Sequence, residues 1–270
     1  MAVVFRENPP QKGVTPELDI IRIHPPEGVD PRNLSTECIT WCRADAGVTL
    51  NGTTVSAWAD YSGKANNFTQ STAGSQPTWV ESGLGGRPEL SFDGTDDNMT
   101  GLNFYGSLSA KDEWTVILVV RNWAFGPSGN PWAGYGVFGA PSGGANYFNI
   151  AAIAKANGGI GYHNYNGSAN QSAVGGNTSM TAGEAAVVLC ACSGGTGFTR
   201  VNGSQGSSNA SVGSIQSSAT TVNLGKGTQI ASNDPMFWPG TVSEVLVFDG
   251  ALSSGDISIM ESYLLDRYGI

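Results

Sequence analysis

The chain has 270 residues, with 38 glycines, 13 Lys and Arg, 22 Asp and Glu, a formal net charge of -9 and a pI near 4.6. A phosphate-backbone partner needs clustered cations, so this charge argues against nucleic acid. The sequence contains no apolar run of about 18 residues, and charges and paired prolines follow its first residues closely, which argues against a membrane span and a signal peptide.

Residues 1–36 differ from the rest because proline breaks at four places frame one short apolar run, LDIIRIH. Proline fixes φ and removes a backbone donor, so we predict an extended docking arm here and one domain over 37–270. Ordering the arm costs conformational entropy, and only contacts with a surface can compensate for this cost. That surface would belong either to its own domain or to a neighbouring subunit. Its apolar contact candidates are Phe5, Leu18, Ile20, Ile21 and Ile23.

The four cysteines come in two pairs, Cys38 with Cys42 and Cys190 with Cys192, each inside a strand-like run. The two-residue period of a strand predicts that both members of a pair lie on the same face. Buried free thiols are the favoured interpretation, and zinc or a disulfide are the alternatives.

From residue 38 onward, short runs rich in β-branched and aromatic residues alternate with Gly, Asn and Ser turns at intervals of roughly 8 to 15 residues. Spacing of this kind is typical of a β-sandwich or jelly roll. Only the end of the chain has helical spacing. There Ser253 and Asp256 have the form of a capping box, and apolar residues recur before a glycine stop. These are Ile257, Met260, Leu264 and Tyr268, followed by Gly269.

The stretch LSFDGTDDNMTGL over residues 90–102 is dense in carboxylates. Its Asp-Gly pair is typical of a tight turn, and we predict a hairpin here. The alternative is a calcium site, because calcium prefers carboxylate oxygens. The first candidate ligands are Asp93, Asp96 and Asp97, and the weaker candidates are Asp60 and Asp234. Apart from calcium, we predict no cofactor.

Aromatic residues are concentrated among glycines and amides in two segments of the middle of the chain. Rings with nearby amides suit a carbohydrate-binding surface, and they equally suit a subunit contact or partial burial. The candidates for binding sugar are Trp123, Trp132, Tyr135, Tyr162 and Tyr165.

Five phrases stand out together: WCRADAGVTLNGTTVSAWADYSGKANNFTQ, GRPELSFDGTDDNM, EWTVILVVR, TRVNGS and GTVSEVLVFDGALSSGDISIMESYLLDRYGI. In this order they resemble the laminin-G-like domains of the concanavalin A-like lectin/glucanase superfamily. The resemblance covers about residues 38–270 and implies an all-β jelly-roll sandwich of two antiparallel sheets, with one short C-terminal helix.

Catalysis is not predicted. Retaining glucanases of this superfamily carry two carboxylates on one strand face about 5 Å apart, whereas Glu244 has no second carboxylate among its strand neighbours. Only His24 and His163 could serve a nucleophilic triad, and no nucleophile motif accompanies them.

Two functions from different classes follow. The first is a non-enzymatic virion structural protein, most simply a bacteriophage capsid decoration or tail subunit, made in the host cytoplasm and held by its arm. Its partners would be the major capsid protein or copies of itself. The alternative is a lectin-like module that binds surface glycans, since this fold serves both classes.

Overall fold

The structure is a computed structural model that describes residues 28–102, 111–122, 134–139, 146–153, 159–166, 170–179, 182–209, 221–228 and 235–270. Antiparallel strands dominate it, and one α-helix, α1, covers Ser254–Tyr268. The strands are β1 (Cys38–Arg43), β2 (Val48–Asn51), β3 (Thr54–Trp58), β4 (Phe68–Thr69), β5 (Thr78–Val80), β6 (Glu89–Asp93), β7 (Met99–Leu102), β8 (Trp114–Asn122), β9 (Gly134–Gly139), β10 (Asn146–Ile153), β11 (Gly159–Asn166), β12 (Asn170–Ser179), β13 (Ala185–Ser193), β14 (Thr196–Val201), β15 (Ser204–Asn209), β16 (Thr221–Leu224), β17 (Lys226–Thr228), β18 (Pro235–Phe237) and β19 (Pro239–Phe248).

The strands form two layers. The front sheet has the spatial order β2-β3-β4-β7-β16-β9-β10-β11-β12. In the back sheet, β19 pairs with β8 on one side and with β1 and β6 on the other; β5 extends β6, and β13, β14 and β15 extend β8. A single pairing between β3 and β5 joins the layers at one edge. The predicted jelly-roll sandwich is confirmed.

The main core lies between the two sheets. Its side chains include Trp58, Phe68, Leu118 and Phe138, all without solvent exposure. A second apolar cluster lies on the other face of the back sheet, where Met260 and Leu264 of α1 pack against Ile117 and Leu189. The central strands of the back sheet are therefore buried on both faces, which explains why their sequences are apolar without interruption.

The helix forms as its sequence predicts. The Ser253 hydroxyl oxygen accepts a hydrogen bond from the Asp256 amide at 3.1 Å, and Gly269 ends the helix with φ +67°. Ile257, Met260, Leu264 and Tyr268 are its buried apolar residues. Within the described residues, no helix is long and apolar enough to cross a membrane.

The predicted placement of the first cysteine pair is wrong. A bulge between Cys38 and Thr40 inserts an extra residue into β1 opposite β19, and Cys38 packs in the cluster under α1 while Cys42 packs between the sheets. A bulge shifts the alternation of faces by one residue. Cys190 and Cys192 do share one face, as predicted. All four are buried free thiols, and burial raises the pKa of Cys190 to about 12.

Candidate functional site

The acidic stretch does not form a hairpin. β6 pairs with β5 and β19, whereas β7 pairs with β4 and β16, so the turn between them carries the chain from the back sheet to the front sheet. Asp93 Oδ1 accepts the amide of Thr95 at 2.8 Å and that of Asp96 at 3.2 Å. Gly94 has φ +76°, and a Cβ there would lie 2.7 Å from that of Pro239, so both the turn and its surroundings require glycine.

The carboxylates of Asp93, Asp96 and Asp97 do come together, with one oxygen of each within 4.8 Å of the others. Burial raises the pKa of Asp93, but three backbone amide donors outweigh this and hold the pKa below its usual value. Burial, with the like charges of Asp93 and Asp96, raises the pKa of Asp97 to about 6 although its oxygen accepts the Asp93 amide. These carboxylates already organise the turn, and calcium binding there stays the untested alternative.

Asp60, a weaker calcium candidate, holds a loop together. Its Oδ1 accepts the amides of Trp41 and Ser62, each at 2.8 Å, and its Oδ2 accepts the Ser62 hydroxyl at 2.7 Å and the Asn66 amide at 3.0 Å. A carboxylate that accepts three donors from its own loop and one from β1 has a structural role. Asp234 lies outside the described residues.

Glu244 is fully buried under α1. Its two oxygens accept hydrogen bonds from Trp41 Nε1 at 2.7 Å and from the Tyr268 hydroxyl at 2.8 Å, and Arg267 Nε lies 3.4 Å away. Its partners across the adjacent strands are Arg43 and Val119. Burial raises the pKa of Glu244, opposed by Arg267 and the hydrogen bonds from Trp41 and Tyr268. This carboxyl group ties β1, β19 and α1 together.

The predicted sugar-binding aromatics have different outcomes. Tyr162 is wrong as a surface residue, because it is fully buried between the sheets, with its ring centroid 5.1 Å from that of Trp114 in an edge-to-face contact. Tyr165, three positions further along β11, falls on the opposite face by alternation. Tyr135 lies in β9, whereas Trp123 and Trp132 lie outside the described residues.

The arm candidates Phe5, Leu18, Ile20, Ile21 and Ile23, together with His24, also lie outside the described residues. The described part of the predicted arm, 28–36, lies on the domain itself. Val29 and Leu34 pack against the cluster under α1, and the Ser35 hydroxyl donates to Asp256 Oδ2 at 2.5 Å. The Thr36 hydroxyl donates to the carbonyl of Ala251 at 3.1 Å.

A row of polar positions crosses the outer face of the front sheet, the face turned away from the core. Cross-strand register links Thr69, Thr100, Asn223, Gly139, Asn149, His163 and Ser172 in that order. We call this the polar row. Thr69 is exposed and Thr100 is half-buried, whereas Asn223 and Gly139 are buried; the Thr100 hydroxyl lies 3.3 Å from Asn223 Oδ1. Strands lie about 4.8 Å apart, so the row spans roughly 29 Å.

A second row lies two residues away on the same face and links Tyr147, Tyr165 and Asn170 by register. We call it the tyrosine row. The neighbouring positions on the inner face are Ile150 opposite Tyr162, in register with Phe138. The sequence analysis did not identify Asn149, Tyr147 and Asn223 as candidates, because strand register cannot be read from one sequence. The alternation of residue types in NYFNI and YHNYN is a signal that could have indicated which residues share a face of the sheet.

The fold is similar to those of several solved structures at low sequence identity. Domain 4 of AbnA, an extracellular GH43 arabinanase from Geobacillus stearothermophilus, in complex with arabinotriose, has a TM-score of 0.59 at 13% identity, over 86% of this chain and 98% of that one. The binding domain of botulinum neurotoxin serotype D has a TM-score of 0.58 at 12% identity, over 85% of this chain and 51% of that one.

A sialidase of Trypanosoma rangeli in complex with sialic acid has a TM-score of 0.52 at 13% identity, over 83% of this chain and 32% of that one. This chain thus spans about half of the toxin domain structure and a third of the sialidase. No protein-family model and no curated protein matches the sequence. Strand order and these likenesses agree that the chain has an all-β jelly-roll sandwich fold, similar to the folds of these domains.

Proposed function

We propose that this chain is a non-catalytic carbohydrate-binding domain. The observation that carries the proposal is the polar row, in which cross-strand register aligns Thr, Asn, His and Ser positions along one face of the front sheet. Hydroxyl and amide groups both donate and accept hydrogen bonds, as sugar hydroxyls do. The tyrosine row adds two aromatic positions beside it, and aromatic rings suit the apolar faces of sugars.

Two of the similar structures support this choice of ligand. The AbnA domain is in complex with arabinotriose, and botulinum neurotoxin type C, whose structure has a TM-score of 0.55, depends for cell entry on interaction with two ganglioside molecules. At 13% identity these likenesses suggest the class of ligand and no particular sugar.

The environment of Glu244 supports a non-enzymatic role. Two hydrogen-bond donors and Arg267 occupy its carboxylate, and its cross-strand partners are Arg43 and Val119. A retaining mechanism needs a second carboxylate about 5 Å away, next to bound sugar. Incubation with polysaccharides, followed by an assay for new reducing ends, should show no turnover; turnover that Glu244→Gln abolishes would contradict the proposal.

Glycan binding itself can be tested on an array of neutral and charged glycans with the full chain. We expect saturable binding to a subset of glycans, reproduced by calorimetry in solution. A protein that stays folded and binds no glycan on the array or in solution would overturn the proposal.

The virion hypothesis rests on the predicted arm, most of which lies outside the described residues. It stays a prediction about where such a domain would be displayed, and the two hypotheses are compatible. Loss of particle attachment on deletion of residues 1–36, with glycan binding retained, would support it.

A further inference from the structure

A groove with a volume of about 600 Å³ lies beside α1. The helix forms one wall and the first residues of the described chain form the other, and the lining includes Gly28, Val29, Ile259, Ser262, Tyr263 and Asp266. We call it the α1 groove. We propose that it binds the apolar run LDIIRI, residues 18–23 of the same chain, which lies outside the described residues. This inference is independent of glycan binding.

The α1 groove leaves apolar surface open to solvent. Ile259 is 48% exposed, and among the described residues only it and Leu50 are large apolar side chains with such exposure. Val29 and Tyr263, which also line the groove, are only partly buried where they pack on the cluster under α1. Covering apolar surface contributes about 25 cal/mol per Å², so an apolar segment that lies in this groove is stabilised there.

The start of the described chain decides which segment can occupy the groove. Gly28 lines it, so the residues before Gly28 leave from its wall, and only four residues separate Gly28 from the run. The six residues from Arg22 to Gly28 can reach up to about 20 Å, whereas α1 rises only about 12 Å from Ser258 to Asp266. The tether is therefore long enough for the run to lie along the whole groove.

The tether also favours this segment over a second copy of the chain. A short flexible linker gives the attached segment an effective concentration on the order of millimolar. A second copy offers the same sequence only at the concentration of the protein in solution. The occupant that we expect is therefore the chain's own residues 18–23.

The side chains of the run follow an order that suits the helix. β-branched residues favour an extended backbone, in which Leu18, Ile20 and Arg22 share one face at intervals of about 6.6 Å. On α1, Ile259 and Tyr263 are four residues apart, which is about 6 Å along the helix axis. Two apolar side chains of the run can therefore lie over two apolar side chains of the groove at nearly the same spacing.

Charge complementarity adds a third contact. Asp266 is exposed and lines the groove, and it forms no ion pair within the part of the chain that the structure describes. Arg22 is the one cation in the run. It follows the two apolar residues Leu18 and Ile20 on their face, as Asp266 follows the apolar residues of the groove, so it supplies the partner for this carboxylate.

Limited proteolysis of the full chain with thermolysin, which cleaves before large apolar residues, tests the docking. A synthetic peptide of residues 1–27 gives the rates at which the same bonds are cleaved without the groove. We expect the bonds before Ile20, Ile21 and Ile23 to be cleaved at least about tenfold more slowly in the full chain, because cleavage follows the population of the undocked segment. The bond before Phe5 should be cleaved at the same rate in both, and mass spectrometry identifies the products.

Variants of α1 assign the protection to the groove. Ser262→Trp fills the groove from an exposed position, so we expect it to abolish the protection. Ser254→Trp is the matched control, since Ser254 is exposed on the same helix and does not line the groove. Asp266→Arg should raise the cleavage rate about two- to fivefold, and Arg22→Asp in the same chain should restore the protection. Thermal unfolding shows that each variant is folded, and the charge pair tests the groove if Ser262→Trp is not.

Each outcome supports or overturns the inference. Protection that Ser262→Trp removes and Ser254→Trp keeps, with rescue of Asp266→Arg by Arg22→Asp, would support it. Equal cleavage rates in the full chain and the peptide would overturn the docking altogether, and protection that survives both Ser262→Trp and Asp266→Arg would overturn this groove as the site. Protection that grows between about 1 μM and about 50 μM protein would assign the run to a neighbouring copy and overturn docking within one chain.

Discussion

Asp97 is a buried carboxyl group whose pKa, about 6, lies well above its ordinary value of 3.8. The folded state therefore favours the protonated acid, so this group lowers the free energy of unfolding above about pH 6 and ceases to do so as the pH falls toward 3.8. Asp97→Asn keeps an oxygen for the Asp93 amide and removes the charge. We expect it to stabilise the protein at pH 8 by on the order of 1 to 2 kcal/mol and to have little effect near pH 4.

Thermal unfolding at the two pH values measures this difference. Asp96→Asn is the matched control, because it removes one charge from the same turn at an exposed position. A gain for Asp97→Asn that is equal at both pH values would contradict the assigned cause.

The same turn holds the candidate calcium ligands, so the effect of calcium on thermal stability tests whether it binds the ion. A ligand present at 100 times its Kd raises the free energy of unfolding by about 2.7 kcal/mol. Because backbone amides already occupy Asp93 Oδ1 and Asp97 Oδ2, we expect 10 mM calcium, compared with chelator, to leave Tm within about 1 °C. A rise of about 5 °C or more that Asp93→Asn removes would identify a calcium site instead.

The buried hydrogen bond between Trp41 Nε1 and Glu244 Oε1 gives a third prediction at this scale. Trp41→Phe removes the donor and leaves a buried carboxylate oxygen without it, so we expect a loss of about 2 to 4 kcal/mol in the free energy of unfolding. Trp79→Phe is the control, since Trp79 is only partly buried and donates to a neutral carbonyl, that of Ala44, at 3.2 Å. Equal losses in chemical denaturation would show that ring volume, and not the carboxylate, sets the cost.

At the scale of elements, α1 covers the outer face of the back sheet through one stripe of side chains. Met260 is fully buried against that sheet, while its neighbour Ile259 is 48% exposed. We expect Met260→Ala to cost about 2 to 5 kcal/mol and Ile259→Ala less than about 0.5 kcal/mol. Urea denaturation measures both, and similar losses would mean that the helix does not depend on this face.

Elements whose signals are local could be predicted from the sequence. The capping residue, the apolar spacing and the glycine stop of α1 all lie within one helix, and the apolar runs of β8, β13 and β19 identify strands without reference to their partners. What could not be predicted depends on pairing. A bulge in β1 separates Cys38 from Cys42, and the partners of β6 and β7 make the acidic turn a connection between sheets.

Strand pairing limited the prediction of the candidate site for the same reason. Tyr162 and Tyr165 are close in sequence and chemically alike, yet alternation along β11 places one in the core and the other on the outer face. The polar row joins residues from distant parts of the chain, such as Thr100 and Asn223, that only cross-strand register brings together. The aromatic and amide composition indicated a sugar surface, and the sheet decides which residues can take part in it.

At the scale of the whole molecule, the described residues 28–36 belong with the domain, because they close the cluster under α1. Val29 and Leu34 pack on it, and the side chains of Ser35 and Thr36 bond to residues at the start of the helix and the loop before it. The protein that lacks residues 1–36 should therefore have a free energy of unfolding about 2 to 4 kcal/mol lower than the protein that lacks residues 1–27. This difference is the contribution of two partly buried aliphatic side chains and the neighbouring hydrogen bonds.

Comparing the two truncations isolates residues 28–36, since both lack everything before Gly28. Chemical denaturation gives the difference in the free energy of unfolding. Leu34→Ser, introduced into the variant that lacks only residues 1–27, is a milder change that should account for part of this difference. If the two truncations unfold at the same denaturant concentration with the same slope, these residues rest on the surface without stabilising it, and the domain begins at residue 37 as the sequence predicts. A difference of the expected size instead moves the domain boundary to residue 28, so that any docking arm has to lie before it.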